Sequence, residues 1–200
     1  MLERLRARFD PVLRSIAKYL SINPNLLTIL SVVLAVPSPI LMYLYDSRVS
    51  VLIVIILFIF SAMMDIIDGA VARVHGRTSK KGAFLDSTCD RYVDAIMILT
   101  AFILCNDFIT RILLVLTLIG SYITSYARAR AESLGAELRG VGLIERGERV
   151  ILLIIFFIIC YILYSTEIFN IFTRIYVGAL ALLTNITAVQ RVVKVCKTLS

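Results

Sequence analysis

Two hundred residues suffice for one compact domain, but 60% of them are hydrophobic, more than a soluble domain of that size can cover with polar surface. The 21 Lys+Arg outnumber the 14 Asp+Glu, for a formal charge of +7. In so apolar a chain the excess reads as basic loops beside anionic headgroups rather than a nucleic-acid surface, and no nucleic-acid partner is expected. Cys89, Cys105, Cys160 and Cys196 lie scattered in or near apolar segments with no CxxC pair. They read as buried thiols, not as a zinc site or a disulfide framework.

In chain order, residues 1–20 read as an amphipathic helix. Leu2, Leu5, Phe9, Val12, Leu13, Ile16 and Leu20 recur on one face, with Arg4, Arg6, Arg8, Arg14 and Lys18 mostly off it. Such a helix lies in the headgroup plane without crossing it. Its apolar residues are interleaved with charge, unlike the collected core of a cleavable signal. Ser21 to Asn25 read as a turn, with Pro24 placed to open the next helix. Six spanning helices follow, at about 26–45, 50–72, 83–105, 109–131, 149–165 and 168–192, matched to a hydrocarbon layer of roughly 30 Å. The short joints at 46–49 and 106–108 make neighbouring spans antiparallel. The expected fold is an all-α integral membrane protein with a single domain over 1–200. An interfacial helix (1–20) precedes a six-helix transmembrane bundle (21–200). With both termini on one side, that side collects every Lys and Arg except Arg48, Arg111 and Arg174. This predicts a multi-pass protein of the cell membrane with cytoplasmic termini.

Four acids do not belong in a membrane. Asp65 and Asp68 are i, i+3 near the cytoplasmic end of the second span, and Asp86 and Asp90 are i, i+4 near the cytoplasmic start of the third. Each pair shares a helix face, and a short basic loop lets the two faces oppose each other. Four carboxylates gathered there repel one another and are costly to desolvate. Hard divalent cations (Mg²⁺, Mn²⁺ or Ca²⁺) resolve the conflict. Four carboxylates suit two ions about 3.5–4 Å apart, the arrangement of phosphoryl transfer. The plainer reading pairs the acids with Arg73, Arg77 and Arg91. Gly69 beside them either leaves room for a ligand or serves helix packing. Asp94, one turn deeper, is either a group supporting the metal ligands or an acid with a local partner. His75 reads as a solvated loop residue.

The residues Asp65-Ile-Ile-Asp68-Gly69-Ala-Val-Ala72-Arg73, then Gly82 after eight residues, then Asp86 and Asp90, match D-x-x-D-G-x-x-A-R-x8-G-x3-D-x3-D at every specified position. The chain therefore resembles the CDP-alcohol phosphotransferase family, a likeness that extends to the Pro24-Asn25-x-x-Thr28 start of the first span. The resemblance implies that Asp65, Asp68, Asp86 and Asp90 ligate two divalent ions, Mg²⁺ or Mn²⁺, with Asp90 also the general base. It implies a CDP pocket lined by Asn25, Thr28, Gly69, Arg73, Thr78 and Gly82. Family members are commonly homodimers, so a dimer among membrane lipids is expected.

Ser121, Ser125, Arg128 and Glu132 share one face of the fourth span, and Thr184, Thr187 and Arg191 one face of the sixth. Arg128, Arg149 and Arg191 could converge at the cytoplasmic mouth and bind a phosphate, or simply anchor helix ends. The stretches from Ser125 to Glu132 and from Gly140 to Arg149 resemble the phosphatidylinositol-phosphate and archaetidylinositol-phosphate synthase branch. That likeness implies an acceptor-phosphate site at Ser125, Arg128, Arg149 and Arg191. Position 128 is Arg where relatives often have Lys. The expected reaction is CDP-lipid plus inositol 1-phosphate giving the inositol-phosphate lipid and CMP. Transfer to glycerol 3-phosphate or serine is the alternative within the class. A divalent-cation transporter is the alternative outside it, although its acids should lie near the midplane rather than cluster with arginines at one face.

Overall fold

The computed structural model describes residues 2–138 and 140–199, with side chains from residue 11 onward. Its described residues are helical or irregular, and the helices fall into two compact units, one through Met97 and one from Ile98.

The first unit is built on α4 (Arg48–Val74), against which α1 (Leu2–Tyr19), α2 (Pro24–Ala35) and α3 (Pro37–Leu44) all pack. Asn23 caps α2, its Oδ1 accepting from the Asn25 N–H at 3.0 Å, and Pro24 takes the first helical position, where its missing N–H costs nothing. A proline lacks the N–H that continues a helix, so the expected span over 26–45 divides at Val36-Pro37 into α2 and α3. Small polar residues let α2 and α4 approach, as membrane helix pairs require. Ser61 Oγ donates across to the Ser31 carbonyl at 2.7 Å. Ala17, Leu27, Ala70 and Val71 form the apolar centre where α1, α2 and α4 meet.

Helix α4 ends in a Schellman turn. Gly76 takes φ +62°, its N–H bonds the Arg73 carbonyl, and the Arg77 N–H bonds that of Ala72. Only glycine enters that conformation freely, and the turn starts the chain back toward α5 (Lys80–Leu104). His75, expected in solvent, instead caps α4, with Nε2 3.0 Å from the Ala17 carbonyl of α1.

In the second unit α6 (Phe108–Ser133) and α8 (Phe169–Leu199) pack together and α7 (Arg146–Leu163) lies on α8. Gly120 permits the close approach of α6, since a Cβ there would lie 2.8 Å from Thr184 Oγ1 and 2.9 Å from Asn185 Nδ2. Asn185 Nδ2 donates across to the Leu116 carbonyl at 3.0 Å, and Thr124 Oγ1 to that of Thr184 at 3.3 Å. At the other end Asp107 caps α6 through the Thr110 N–H and hydroxyl and holds Arg174 of α8 at 2.7 Å. The Arg174 guanidinium, with the Thr110 hydroxyl and N–H behind it, keeps the Asp107 carboxyl below its usual range, at about 2.

Four segments are long and apolar enough to cross a bilayer: Pro24–Leu44, Arg48–Val74, Phe108–Ser133 and Phe169–Leu199. They carry large apolar side chains on their outer faces, among them Ile56, Phe60, Ile119 and Ile175, as lipid-facing surfaces do. Every 18-residue stretch of α5 or α7 includes at least three charges: Asp90, Arg91 and Asp94 in the former, Arg146, Glu148 and Arg149 in the latter. Cys89, Cys105 and Cys160 are buried as expected, whereas Cys196, near the end of α8, is exposed.

Candidate functional site

Helices α4 and α5 meet the requirement set by the acid spacing. Asp65 projects from α4, and Asp86 and Asp90 from α5. Each offers one carboxylate oxygen, and the three oxygens lie within 4.8 Å of one another. Oxygens on opposite sides of an octahedral Mg²⁺ are about 4.2 Å apart, from a metal–oxygen distance of about 2.1 Å, and those around Ca²⁺ stand farther. Three oxygens this close together, one on each acid, can converge on a single hard divalent cation. All three are partly buried, where repulsion between bare carboxylates is poorly screened.

Asp68 is placed differently. It is 4% exposed, and its Oδ2 accepts from the Thr28 hydroxyl of α2. Burial leaves a carboxyl oxygen in need of a donor, and Thr28 supplies one from a segment forty residues away. Asn25 stands beside Gly82 at the start of α5, where a Cβ would come within 3.2 Å of Asn25 Oδ1. Ser79 holds that start, its Oγ accepting from the Gly82 N–H at 3.0 Å. Arg73 folds back along α4, and a Cβ on Gly69 would lie 3.3 Å from its Nη1. Both glycines thus let polar side chains, Arg73 at one and Asn25 and Ser79 at the other, lie close against the helix backbone. Thr78 is exposed in the loop between α4 and α5. Arg91 lies 3.5 Å from Asp90 and 3.8 Å from Asp94, which gives Asp94 the local partner that was one of its two readings.

The second unit holds the remaining site residues. Arg149 and Arg191 are buried at 3% and 5% exposure. Arg191 Nε donates to the Val141 carbonyl and its Nη1 to the Thr124 carbonyl, both at 2.9 Å. Ser125 is half-buried, its hydroxyl donating to the Ser121 carbonyl. Arg128 instead points outward and pairs with Glu132 at 2.9 Å. The segment joining α6 to α7 is tied down at several points. The Ile144 N–H donates to Thr187 Oγ1 at 3.2 Å, and a Cβ on Gly142, at φ +122°, would overlap Thr187. The Glu148 side chain then accepts from the Glu145 N–H at 3.0 Å and opens α7.

A family model described as CDP-alcohol phosphatidyltransferase matches residues 21–190. The chain belongs to that family. Among curated relatives of this transferase, the archaetidylinositol phosphate synthase of Aeropyrum pernix is 38% identical over 188 residues, covering 94% of this chain and 90% of the relative. The enzyme of the same description from Pyrococcus horikoshii is 37% identical and covers 100% and 98%. Among solved structures, the phosphatidylinositol phosphate synthase of Mycobacterium tuberculosis in complex with manganese and citrate is 27% identical, with a TM-score of 0.76 over 93% of this chain and 88% of that one. The same enzyme with CDP-DAG bound gives a TM-score of 0.74 at 26% identity, over 93% and 92%.

Within the transferase, the partners that sequence reading missed join distant segments. No local periodicity pairs Thr28 with Asp68 or His75 with Ala17. The Ser-x-x-Gly spacing of Ser79 and Gly82, by contrast, was a readable capping signal.

Proposed function

We propose that this transferase moves the phosphatidyl-type group of a CDP-lipid, a diacylglycerol- or archaeol-phosphate, onto a hydroxyl of inositol 1-phosphate and releases CMP. The observation that carries the reading is the convergence of Asp65, Asp86 and Asp90 in a chain whose matched relatives include inositol-phosphate-lipid synthases. Asp65, Asp68, Asp86 and Asp90 hold two divalent ions, Mg²⁺ or Mn²⁺. When bound, these neutralise the pyrophosphate and the charge that develops on the departing CMP. Asp90 accepts the proton of the acceptor hydroxyl as that oxygen attacks the β-phosphorus and the bond to CMP breaks.

The CDP moiety lies against Asn25, Thr28, Gly69, Arg73, Thr78 and Gly82, where the two glycines admit it closely and Arg73 adds positive charge. Ser125, Arg128, Arg149 and Arg191 hold the acceptor phosphate. The two carbonyls that fix Arg191 set the plane of its guanidinium, and such a planar fork suits a phosphate better than a lysine would. Arg128 reaches the phosphate only by leaving Glu132.

Residues 1–200 act as one domain, a reading supported by a family match that runs through both compact units. Helices α5 and α7 join the four apolar segments as the third and fifth of six spans, since their charges gather at one end or on the acid face. The distribution of Lys and Arg places the termini and the acid cluster on the cytoplasmic side of the cell membrane. By analogy with the family the protein is a homodimer.

Purified protein in detergent, given CDP-lipid and Mg²⁺, should release CMP with inositol 1-phosphate and lose that release on chelation. Glycerol 3-phosphate, free inositol and serine are offered separately. Release with glycerol 3-phosphate alone keeps the metal site and overturns the assigned acceptor. Release with none of the four refutes the transfer reading for these substrates.

A further inference from the structure

The C-terminal part of α8 and the segment joining α6 to α7 border an open groove of about 570 Å³, lined by none of the residues assigned above to the transfer. One wall is Gly140–Leu143. The other is the α8 face bearing Val189, Val193, Lys194 and Lys197. The first wall is fixed, because Arg191 holds the Val141 carbonyl and Thr187 the Ile144 N–H. Leu138 and Ala136 are buried beneath it, with Val195 of α8 packed against them. A depression with a rigid wall is a better binding site than a mobile loop.

Its chemistry is graded along α8. Val189 and Val193, both exposed, come first, and Leu143 faces outward from the opposite wall. Lys194 and Lys197 follow toward the end of the helix, both exposed. At 1.5 Å per residue, Val189 and Lys197 are about 12 Å apart along the axis. Among the described residues, no carboxylate lines the groove. Because α8 is itself a membrane-crossing segment, the apolar end of the groove faces the hydrocarbon and the cationic end faces water. That order matches one kind of amphiphile, with chains on one side and a negative phosphate on the other.

We propose that this groove binds the phosphate-bearing headgroup of an anionic membrane phospholipid. Lys194 and Lys197 meet the phosphate, and Leu143, Val189 and Val193 meet the first methylenes of the chains. The occupant is a lipid rather than a free anion, because about half of the lining is apolar side chain that a soluble phosphate would leave wet. The site stands apart from CMP release and does not depend on the identity of the acceptor.

The test uses the full chain, reconstituted in phosphatidylcholine vesicles containing phosphatidylglycerol and released into native mass spectrometry. Wild type should retain phosphatidylglycerol in preference to phosphatidylcholine. Lys194→Gln with Lys197→Gln should weaken that retention by roughly 10- to 30-fold, the effect of removing two interfacial lysines. Val193→Gln should weaken it with both lysines intact, which a mere surface charge effect does not predict. Thermal unfolding in detergent verifies that each variant is folded, and Lys194→Glu supplies a second charge variant. Equal retention by wild type and the double variant overturns the proposal, as does equal retention of the two lipids. Displacement of phosphatidylglycerol by millimolar inorganic phosphate overturns it too, since the groove would then be a soluble-anion site.

Discussion

Replacing Thr28 by Val removes one oxygen from the acid cluster with almost no change in shape. The hydroxyl donates to Asp68, and both residues are 4% exposed, so water cannot easily replace it. A lost hydrogen bond to a carboxyl group with the acceptor left buried costs about 1.5–3 kcal/mol. For a chain of this size that corresponds to a melting point lower by about 3–12 °C, at 2–4 °C per kcal/mol. Unfolding can be followed with a thiol-reactive dye, because Cys89, Cys105 and Cys160 are buried and Cys196 supplies only the baseline. On the proposed assignment of Asp68 as a metal ligand, the same hydroxyl orients that carboxylate, and loss of such a partner typically weakens metal binding by about 10- to 100-fold. Half-maximal CMP release should therefore require correspondingly more Mg²⁺. Thr28→Ser should restore both properties. A Val variant that melts and titrates with Mg²⁺ like wild type would refute the role given to Thr28.

Asp90→Asn should abolish CMP release while CDP-lipid still binds, and CMP release at the wild-type rate would end its assignment as the base. Arg191→Ala should raise the KM for the acceptor selectively; a raised CDP-lipid KM with the acceptor KM unchanged would contradict it. Gly120→Val should destabilise the packing of α6 on α8 by about 1–3 kcal/mol or more, read as a lower melting point in detergent, because its side chain meets Thr184 and Asn185. The Asp107 carboxyl titrates at about 2 when folded against 3.8 ordinarily. Its stabilising contribution is complete above pH 4 and fades as pH falls toward 2. Asp107→Asn should remove that part of the acid sensitivity from melting curves recorded between pH 2 and 5.

The acids were legible because helical periodicity is local. Spacings of three and four fix which side chains share a face, and a short loop fixes which two faces meet. The same logic placed most helix ends within a few residues. It failed where a contact joins remote segments or where a single residue overrides the pattern. Pro37 divides what hydropathy reads as one continuous span. His75 looks like a solvated loop residue until α1 brings the Ala17 carbonyl within reach of its ring. Asp68 has the spacing of a fourth ligand, and that spacing could not show its bond to Thr28, forty residues away. Arg191 has the composition of an anion site, and its bonds to two main-chain carbonyls depend on the path of the segment after α6. Helix α7 starts at Arg146 rather than 149 because Glu148 turns back on the Glu145 N–H, a capping bond that an apolar-window reading ignores.

The unequal helices of the second unit have a consequence for the surrounding lipid. Helix α7 has 18 residues, or about 27 Å, while its neighbour α8 has 31, or about 46 Å. The first turn of α7 carries Arg146, Glu148 and the buried Arg149, so less than its full length is apolar. On the proposed reading of α7 as a span, a bilayer beside it has to thin, or its headgroups have to dip, to keep those charges wet. On that reading, this flank of the second unit would bring the polar boundary of the membrane inward and favour lipids whose headgroups can follow it.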